Sequence, residues 1–394
     1  MSKNKYKLLH IVPVGIKGAK SIISKYLNYR EVFEQTLVDY ILVIVVPKGF
    51  FDSFLTDLKN NKNIYIIETK YINKKCIFKR SMINAKKDLD LLIKNLKPSK
   101  IILRVGMLDK VYINFIRQHR PIVEQASAPI EHNFIKAPIY DLLAKKYIKE
   151  LLELTPLMIG CLDYFKIHYK DYKDKIFILH NSLQKTKYIS KRYRKKFRKE
   201  YNLLLMSNIY SPYSYCGYDR LLLGINNYIK ENKKIKPINL YVLGDDIKGF
   251  KSILHKNKLV FNPKFVRIKY LGYKTIKECN KIIDKIDLGI NDLAVHRKSL
   301  KTACTLKTLD FVGWNLPFVL SYEDENLKSI KPGVFYYKYE ASDKAIDFNE
   351  LIDFVEKMKK REYLKIQKHK KKIALNKRLN QLIQRLNILD GDEI

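Results

Sequence analysis

Short apolar runs recur along the chain at intervals of roughly 20–35 residues, with helical spacing of apolar positions between many of them. In the first half the runs are Leu8–Val14, Tyr40–Val46, Ile64–Ile67, Ile101–Val105, Ile122–Glu124, Leu157–Leu162 and Ile176–Leu179. In the second half they are Leu203–Met206, Leu240–Leu243, Val266–Leu271, Ile286–Ile290, Phe318–Leu320 and Val334–Tyr337. Most are solidly apolar rather than alternating, as parallel strands buried on both faces are. Strands alternating with helices predict βαβ units and parallel sheets. The rhythm breaks at Lys185–Lys199, a stretch crowded with Lys and Arg, which sets a boundary near residues 185–200. Two facing α/β domains are therefore expected, over 1–190 and 200–350, followed by basic C-terminal helices over 351–394. In that last segment Leu375, Leu379, Leu382 and Leu386 keep helix spacing opposite a Lys-rich face. Docking by the apolar stripe is the ordinary use of such a helix; binding a membrane surface or a partner is the competing one.

Composition narrows the class. A chain of 394 residues has room for two domains with real cores, and 46% hydrophobic residues argues against intrinsic disorder. No apolar run approaches the roughly 20 residues that cross a bilayer, and the N-terminus lacks the pattern of a secretory signal. A cytoplasmic protein is expected. The five cysteines (Cys76, Cys161, Cys216, Cys279, Cys304) are widely spaced, so neither a disulfide framework nor a zinc site is expected. The net charge of +37 favours an anionic partner without choosing one, because Lys, Ile, Asn and Tyr are abundant together, as biased base composition also produces.

Candidate chemistry lies where strands end. Gly15, after the first strand, begins a Gly-x-x-Gly turn that suits either a plain strand-to-helix turn or an acceptor-side loop. It is not the dinucleotide fingerprint. Arg104 ends one strand and Glu124 the next, with Glu131, His132 and Asn133 beyond; Glu124 and His132 are the candidates for a general base. His180 is placed similarly. In the second half, Ser207 ends a strand and Gly217 precedes a helix bearing Asp219 and Arg220, a layout for an anion or for ordinary capping. Gly244-Asp245-Asp246 reads as a capped loop rather than a metal site. His296, Arg297 and Lys298 precede a helix that carries Lys307 and Asp310 on one face. Such a cationic group suits a diphosphate; the alternative is a surface salt bridge between Lys307 and Asp310. Gly313 and Pro317 are expected to end that helix and start a strand.

Taken in order, these blocks resemble bacterial glycosyltransferases of the GT-B fold, in particular the large retaining group-1 family (family 4) of capsule and surface-polysaccharide synthesis. The resemblance is carried by Gly217-Tyr218-Asp219-Arg220-Leu221, by Leu293-Ala294-Val295-His296-Arg297-Lys298, and by Leu306-Lys307-x-x-Asp310 with Gly313 and Pro317. It is best from Leu203 to about Tyr322 and looser around Glu124 and Glu131. It implies two Rossmann-like domains, with Asp310 gripping the donor ribose and Lys307, His296, Arg297 and Arg220 near its diphosphate. The departures are an Asp where the family carries Glu, Thr302 where it carries a second acid, and Ser207-Asn208 where it carries Arg and Lys.

The expected function is transfer of a sugar from a nucleotide-sugar to a saccharide or lipid-linked acceptor, with no metal or other cofactor. Ser207, Gly217, Arg220, Gly244, His296, Arg297, Lys298, Lys307 and Asp310 serve the donor, and Gly15 and Arg104 the acceptor. The basic segments would hold the chain on anionic lipid at the inner face of the plasma membrane. No nucleic acid is expected as a partner. The rivals are a sugar-nucleotide epimerase of the same fold, a nucleic-acid-binding protein and a scaffold with a decayed pocket.

Overall fold

The computed structural model describes residues 6–14, 19–36, 38–48, 52–69, 77–105, 110–125, 147–184, 188–189, 199–206, 214–244, 247–298, 300–358 and 360–390. The chain forms two compact units, one of residues 1–180 with 375–394 and one of residues 181–374.

The first unit is built on a parallel sheet of β1 (Tyr6–Pro13), β2 (Val38–Pro47), β3 (Ile64–Thr69), β4 (Lys100–Val105), β5 (Ile122–Gln125), β6 (Met158–Gly160) and β7 (Ile176–Ile178). Its strand order is β3-β2-β1-β4-β5-β6-β7. The connecting helices are α1 (Ala19–Phe33), α2 (Asp52–Lys59), α3 (Ile77–Leu96), α4 (Lys110–His119), α5 over 147–154 and α6 (Tyr164–His168). The apolar runs fit this arrangement because both faces are covered. Leu42, Ile44 and Val46 of β2 join Tyr26 of α1 in one core, while Ile41, Val43 and Val45 join Leu89 of α3 in the other.

The second unit repeats the plan with β8 (Tyr201–Met206), β9 (Ile238–Leu243), β10 (Val266–Gly272) and β11 (Leu288–Ile290). A two-residue strand β12 (Thr302–Ala303) follows, then β13 (Phe318–Leu320), the equally short β14 (Glu323–Asp324) and β15 (Tyr336–Lys338). The main sheet is parallel in the order β10-β9-β8-β11-β13-β15, and β12 pairs with β14 apart from it. The helices are α7 (Tyr218–Glu231), α8 (Ile247–Lys256), α9 (Ile276–Asn280), α10 (Leu306–Trp314), α11 (Phe348–Lys357) and α12 (Lys360–Lys372). Gly289 of β11 lets α10 lie close: a Cβ there would sit 2.6 Å from the Phe311 ring.

The last helix, α13 (Leu375–Asp390), returns to the first unit. Leu375, Leu379, Leu382 and Leu386 are all buried in the α1-side core of that unit. Apolar docking therefore accounts for the stripe. The C-terminal segment expected over 351–394 is divided: α11 and α12 go with the second unit and α13 with the first. The unit boundary falls at 180/181, just ahead of the 185–200 stretch where it was expected. The end of α10 also differs from expectation. Gly313 lies inside the helix, and Asn315, at φ 56°, is the left-handed C-cap.

In both sheets the strand order reverses beside the first strand of the unit, between β1 and β4 and between β8 and β11. Connections leave those neighbouring strands in opposite directions, so a crevice opens at their C-terminal ends, where open α/β sheets bind ligands.

Candidate functional site

The crevice of the second unit is lined by residues just past β11 and at the start of α10. Asn291 and Asp292 follow β11 and are buried. Asp292 accepts an ion-paired hydrogen bond from the Lys307 ammonium. Burial works against the charge of Lys307, and Asp292 more than offsets it, so the lysine stays protonated with its pKa above the ordinary value. Asn291 donates through Nδ2 to Thr308 Oγ1 at 2.9 Å, and Thr308 donates to Asp324 Oδ2 at 2.6 Å. Tyr322, 3.3 Å from the same carboxylate oxygen, and Thr305, 2.8 Å from the Tyr322 hydroxyl, complete a buried polar network. Burial pushes Asp324 up to about 6, against the hydrogen bonds from Thr308 and the Asn326 amide. Thr305 is the N-cap of α10, its hydroxyl accepting the Thr308 amide at 3.3 Å. The network thus fixes the first turn of α10 against the end of β11.

Two ammonium groups stand at one aromatic ring. Lys298 Nζ lies 3.5 Å and Lys307 Nζ 6.0 Å from the centroid of Tyr215. No acid is paired with Lys298 among the described residues. Lys298 beside the N-terminus of a nine-residue helix makes an anion-favouring corner, since the dipole and the free amides carry the same sign, while the charge of Lys307 there is matched by Asp292.

Asp310 lies one turn further along α10, partly buried, and its Oδ1 accepts the Tyr188 hydroxyl at 2.7 Å. Burial pushes its carboxyl up to about 7, against that hydrogen bond and the field of Lys307. The alternative reading, a salt bridge between Lys307 and Asp310, is not formed, because Lys307 binds Asp292 instead.

The arginines are placed differently from the expectation. Arg220 is almost fully buried and donates to the backbone carbonyls of Lys344 (2.7 Å), Glu340 (3.1 Å) and Leu293. It ties α7 to the 340–346 stretch and to the loop after β11. Arg297 makes a two-pronged pair with Asp219 at 3.0 and 2.6 Å and reaches Asp343 at 2.7 Å. His296 also meets Asp343, at 3.1 Å. These guanidinium groups are held by protein partners, so they brace the loop rather than present a charge to a ligand. Gly217 sits at φ 64° before α7, and a Cβ there would come within 2.8 Å of Leu293. Its role is close packing against the loop after β11. Gly244, the residue after β9, has φ 129° and donates its amide to Gly272 O at 3.0 Å. Ser207, Asn208, Asp245 and Asp246 lie outside the described residues.

In the first unit, Arg104 ends β4 and donates to Pro13 O across the rim at 3.3 Å. Glu124 is buried and receives two donors on one oxygen, Lys25 at 2.8 Å and Tyr26 at 2.9 Å, while His10 Nε2 stands 3.0 Å from the other. Tyr40 donates to the other His10 nitrogen, 2.9 Å away. Burial alone would raise the Glu124 carboxyl; Lys25, with His10, outweighs it and holds it well below the usual carboxylate range. Burial keeps His10 neutral by lowering its pKa. A carboxylate held this firmly is a poor proton acceptor near neutrality. The general-base expectation for Glu124 therefore gives way to a structural one, in which the group locks α1 to the sheet. Gly15, Glu131, His132 and Asn133 lie outside the described residues.

Asn291, Asp292, Thr308, Asp324, Tyr215 and Tyr188 were not singled out by sequence. The Asn-Asp pair that ends the apolar run at Ile290 was a signal, since polar residues there stand at a strand's C-terminal end. His10 inside the apolar run of β1 was another.

No family model matches the chain, and no curated protein matches its sequence. Solved structures do. A glycosyltransferase from Rickettsia africae is 13% identical over 99% of this chain and 100% of its own, with a TM-score of 0.66. The Anabaena protein HepE, solved with UDP and glucose, is 10% identical over 97% of this chain and 99% of its own, with a TM-score of 0.66. The UDP-GlcNAc 2-epimerase of Methanocaldococcus jannaschii is 13% identical over 97% of this chain and 99% of its own, with a TM-score of 0.57. At these identities the likeness is one of fold. The chain has the GT-B architecture of two Rossmann-like domains, here with a C-terminal helical segment.

Proposed function

We propose that the protein is a glycosyltransferase that moves a sugar from a nucleotide-sugar to a saccharide or lipid-linked acceptor in surface-polysaccharide synthesis. One observation carries the reading: Lys298, Lys307, the first turn of α10 and Asp310 converge at the β8/β11 crevice. In this reading the diphosphate lies against the two lysines and the α10 amides, and the ribose hydroxyls meet Asp310. The leaving diphosphate's charge is neutralised by these groups without a metal. Arg220, Arg297 and His296 act indirectly, by holding the loop that presents Lys298. UDP-sugars are the first donors to try, because HepE was solved with UDP.

The test is calorimetric titration of UDP, GDP, ADP and CMP, followed by product analysis with the matching nucleotide-sugar. One diphosphate nucleotide should bind and keep its affinity in moderate salt, and Lys307→Ala should weaken it by about tenfold or more. Binding that salt abolishes for all nucleotides alike would overturn the reading. Conversion of the sugar with no acceptor present would instead identify an epimerase, an activity found among the solved structures of this fold. Placement on anionic lipid is part of the proposal and is checked by sedimentation with vesicles; equal pelleting with neutral and anionic lipid would remove it. Residues 190–198 of the basic linker lie outside the described residues.

A further inference from the structure

Tyr188 belongs to the segment between β7 and β8, yet it is tied to α10 from several directions. Its hydroxyl donates to Asp310 Oδ1 at 2.7 Å. Its ring lies on Gly313, where a Cβ would come within 2.6 Å of the ring carbons. It also meets the Trp314 ring edge to face, with centroids 5.6 Å apart. The neighbouring Ile189 amide donates at 3.3 Å to Asn280 Oδ1, which accepts Trp314 Nε1 at 2.7 Å. Asp310, Gly313 and Trp314 lie three and four residues apart, on one face of α10. The phenol is therefore seated by packing and cannot swing while that packing holds, so the carboxylate it binds is fixed in direction.

Oδ2 of Asp310 has no partner among the described residues. An Asp reaches less far than a Glu, so its use in gripping a ligand depends on how it is aimed. We propose that Tyr188 is the positioning residue of the ribose site: it anchors Asp310 through Oδ1, leaves Oδ2 for the ribose hydroxyls, and makes the pocket select ribonucleotides over 2′-deoxyribonucleotides. This rests on the donor-site reading given above. Tyr188 itself touches no substrate. Its contribution is to hold the carboxylate in one rotamer, and an unanchored carboxylate would lose that orientation on every encounter.

The test measures affinities of UDP and 2′-deoxy-UDP for the full chain, for Tyr188→Phe and for Asp310→Asn. The phenylalanine keeps the ring on Gly313 and Trp314 and removes only the hydroxyl. At pH 8, where the Asp310 carboxyl is largely ionised, the full chain should prefer UDP by about tenfold or more, the value of a hydrogen bond to a charged group. Tyr188→Phe should lose more affinity for UDP than for 2′-deoxy-UDP and so lose most of the preference; Asp310→Asn should lose the preference as well. An unaltered preference in Tyr188→Phe overturns the positioning role and leaves the donor site standing. Loss of affinity for both nucleotides to the same extent also overturns it, since that is the mark of a merely structural contact. If the full chain binds neither UDP nor any other nucleoside diphosphate, the donor-site reading fails and this inference with it.

Discussion

Glu124 in the first unit and Asp310 in the second are both carboxylates drawn away from water, and the two are held in opposite electrical states. Glu124 has a cation of its own: Lys25 stands 2.8 Å away, Tyr26 adds a hydrogen bond, and His10 Nε2 lies 3.0 Å from the second oxygen. Its charge is stabilised, and its pKa falls below the usual range. Among the described residues Asp310 has one neutral donor, Tyr188, and the cation along its helix, Lys307, is already paired with Asp292. Burial then wins and lifts its pKa to about 7. The difference teaches that burial does not by itself decide the charge of an acid; the partner of the neighbouring cation does. A carboxylate fully matched inside the protein locks structure, whereas one left partly unmatched has hydrogen-bonding capacity to offer a ligand.

Breaking the matched side should have the largest effect. Lys25→Met strands Glu124 without its cation and should lower unfolding free energy by about 3 kcal/mol in denaturant titration. Adding Glu124→Gln should recover part of that loss, because no buried charge is then left. Next in size is Lys307→Met, which strands Asp292 and should cost about 2 kcal/mol. It also removes a field that favours ionised Asp310, so the Asp310 carboxyl should titrate still higher, as read by carboxyl NMR. Thr308→Val cuts the link from Asn291 to Asp324 and should cost about 1–2 kcal/mol, measured the same way.

The smallest effect sharpens the comparison through pH. The Glu124 pKa is lower folded than unfolded, so its contribution is complete above the ordinary value of 4.5 and is lost as pH falls. For Asp310 the sign is reversed. The folded value of about 7 exceeds the ordinary 3.8, so the folded state binds the proton more tightly. Its contribution is complete below pH ~4 and is lost as pH rises to ~7. Asp310→Asn should remove that loss, so its Tm relative to the parent should rise by a few degrees at most between pH 5 and pH 8. A constant difference across that range would show that Asp310 is ionised throughout and that the contrast with Glu124 is false.

The strands of both main sheets were readable in the chain because a parallel strand covered on both faces must be apolar along its length. The pair β12 and β14 was not, since two residues carry no period. The stripe Leu375, Leu379, Leu382 and Leu386 announced a docking helix but not its dock, which is the core of the first unit. Lys307 and Asp310 lie on α10 as their block implied, and the alternative of a bridge between them gives way to the Lys307–Asp292 pair. Arg220 and Arg297 showed the limit more sharply. Their motifs are as suited to a phosphate as to a carbonyl, and the groups that fill them, Lys344, Glu340, Asp219 and Asp343, are far away in sequence. Tyr188 had no motif at all, and only the empty seat at Gly313 explains its place.

The two-part α/β plan and its strands were legible in the sequence alone, because hydrophobic periodicity is a property of neighbours along the chain. Which cation serves which acid, that Glu124 is locked while Asp310 Oδ2 has no partner among the described residues, and that the last helix packs on the first unit are visible only in the folded chain. Charge pairing and hydrogen bonding fall off within a few ångströms in space, so they depend on which distant residues folding brings together.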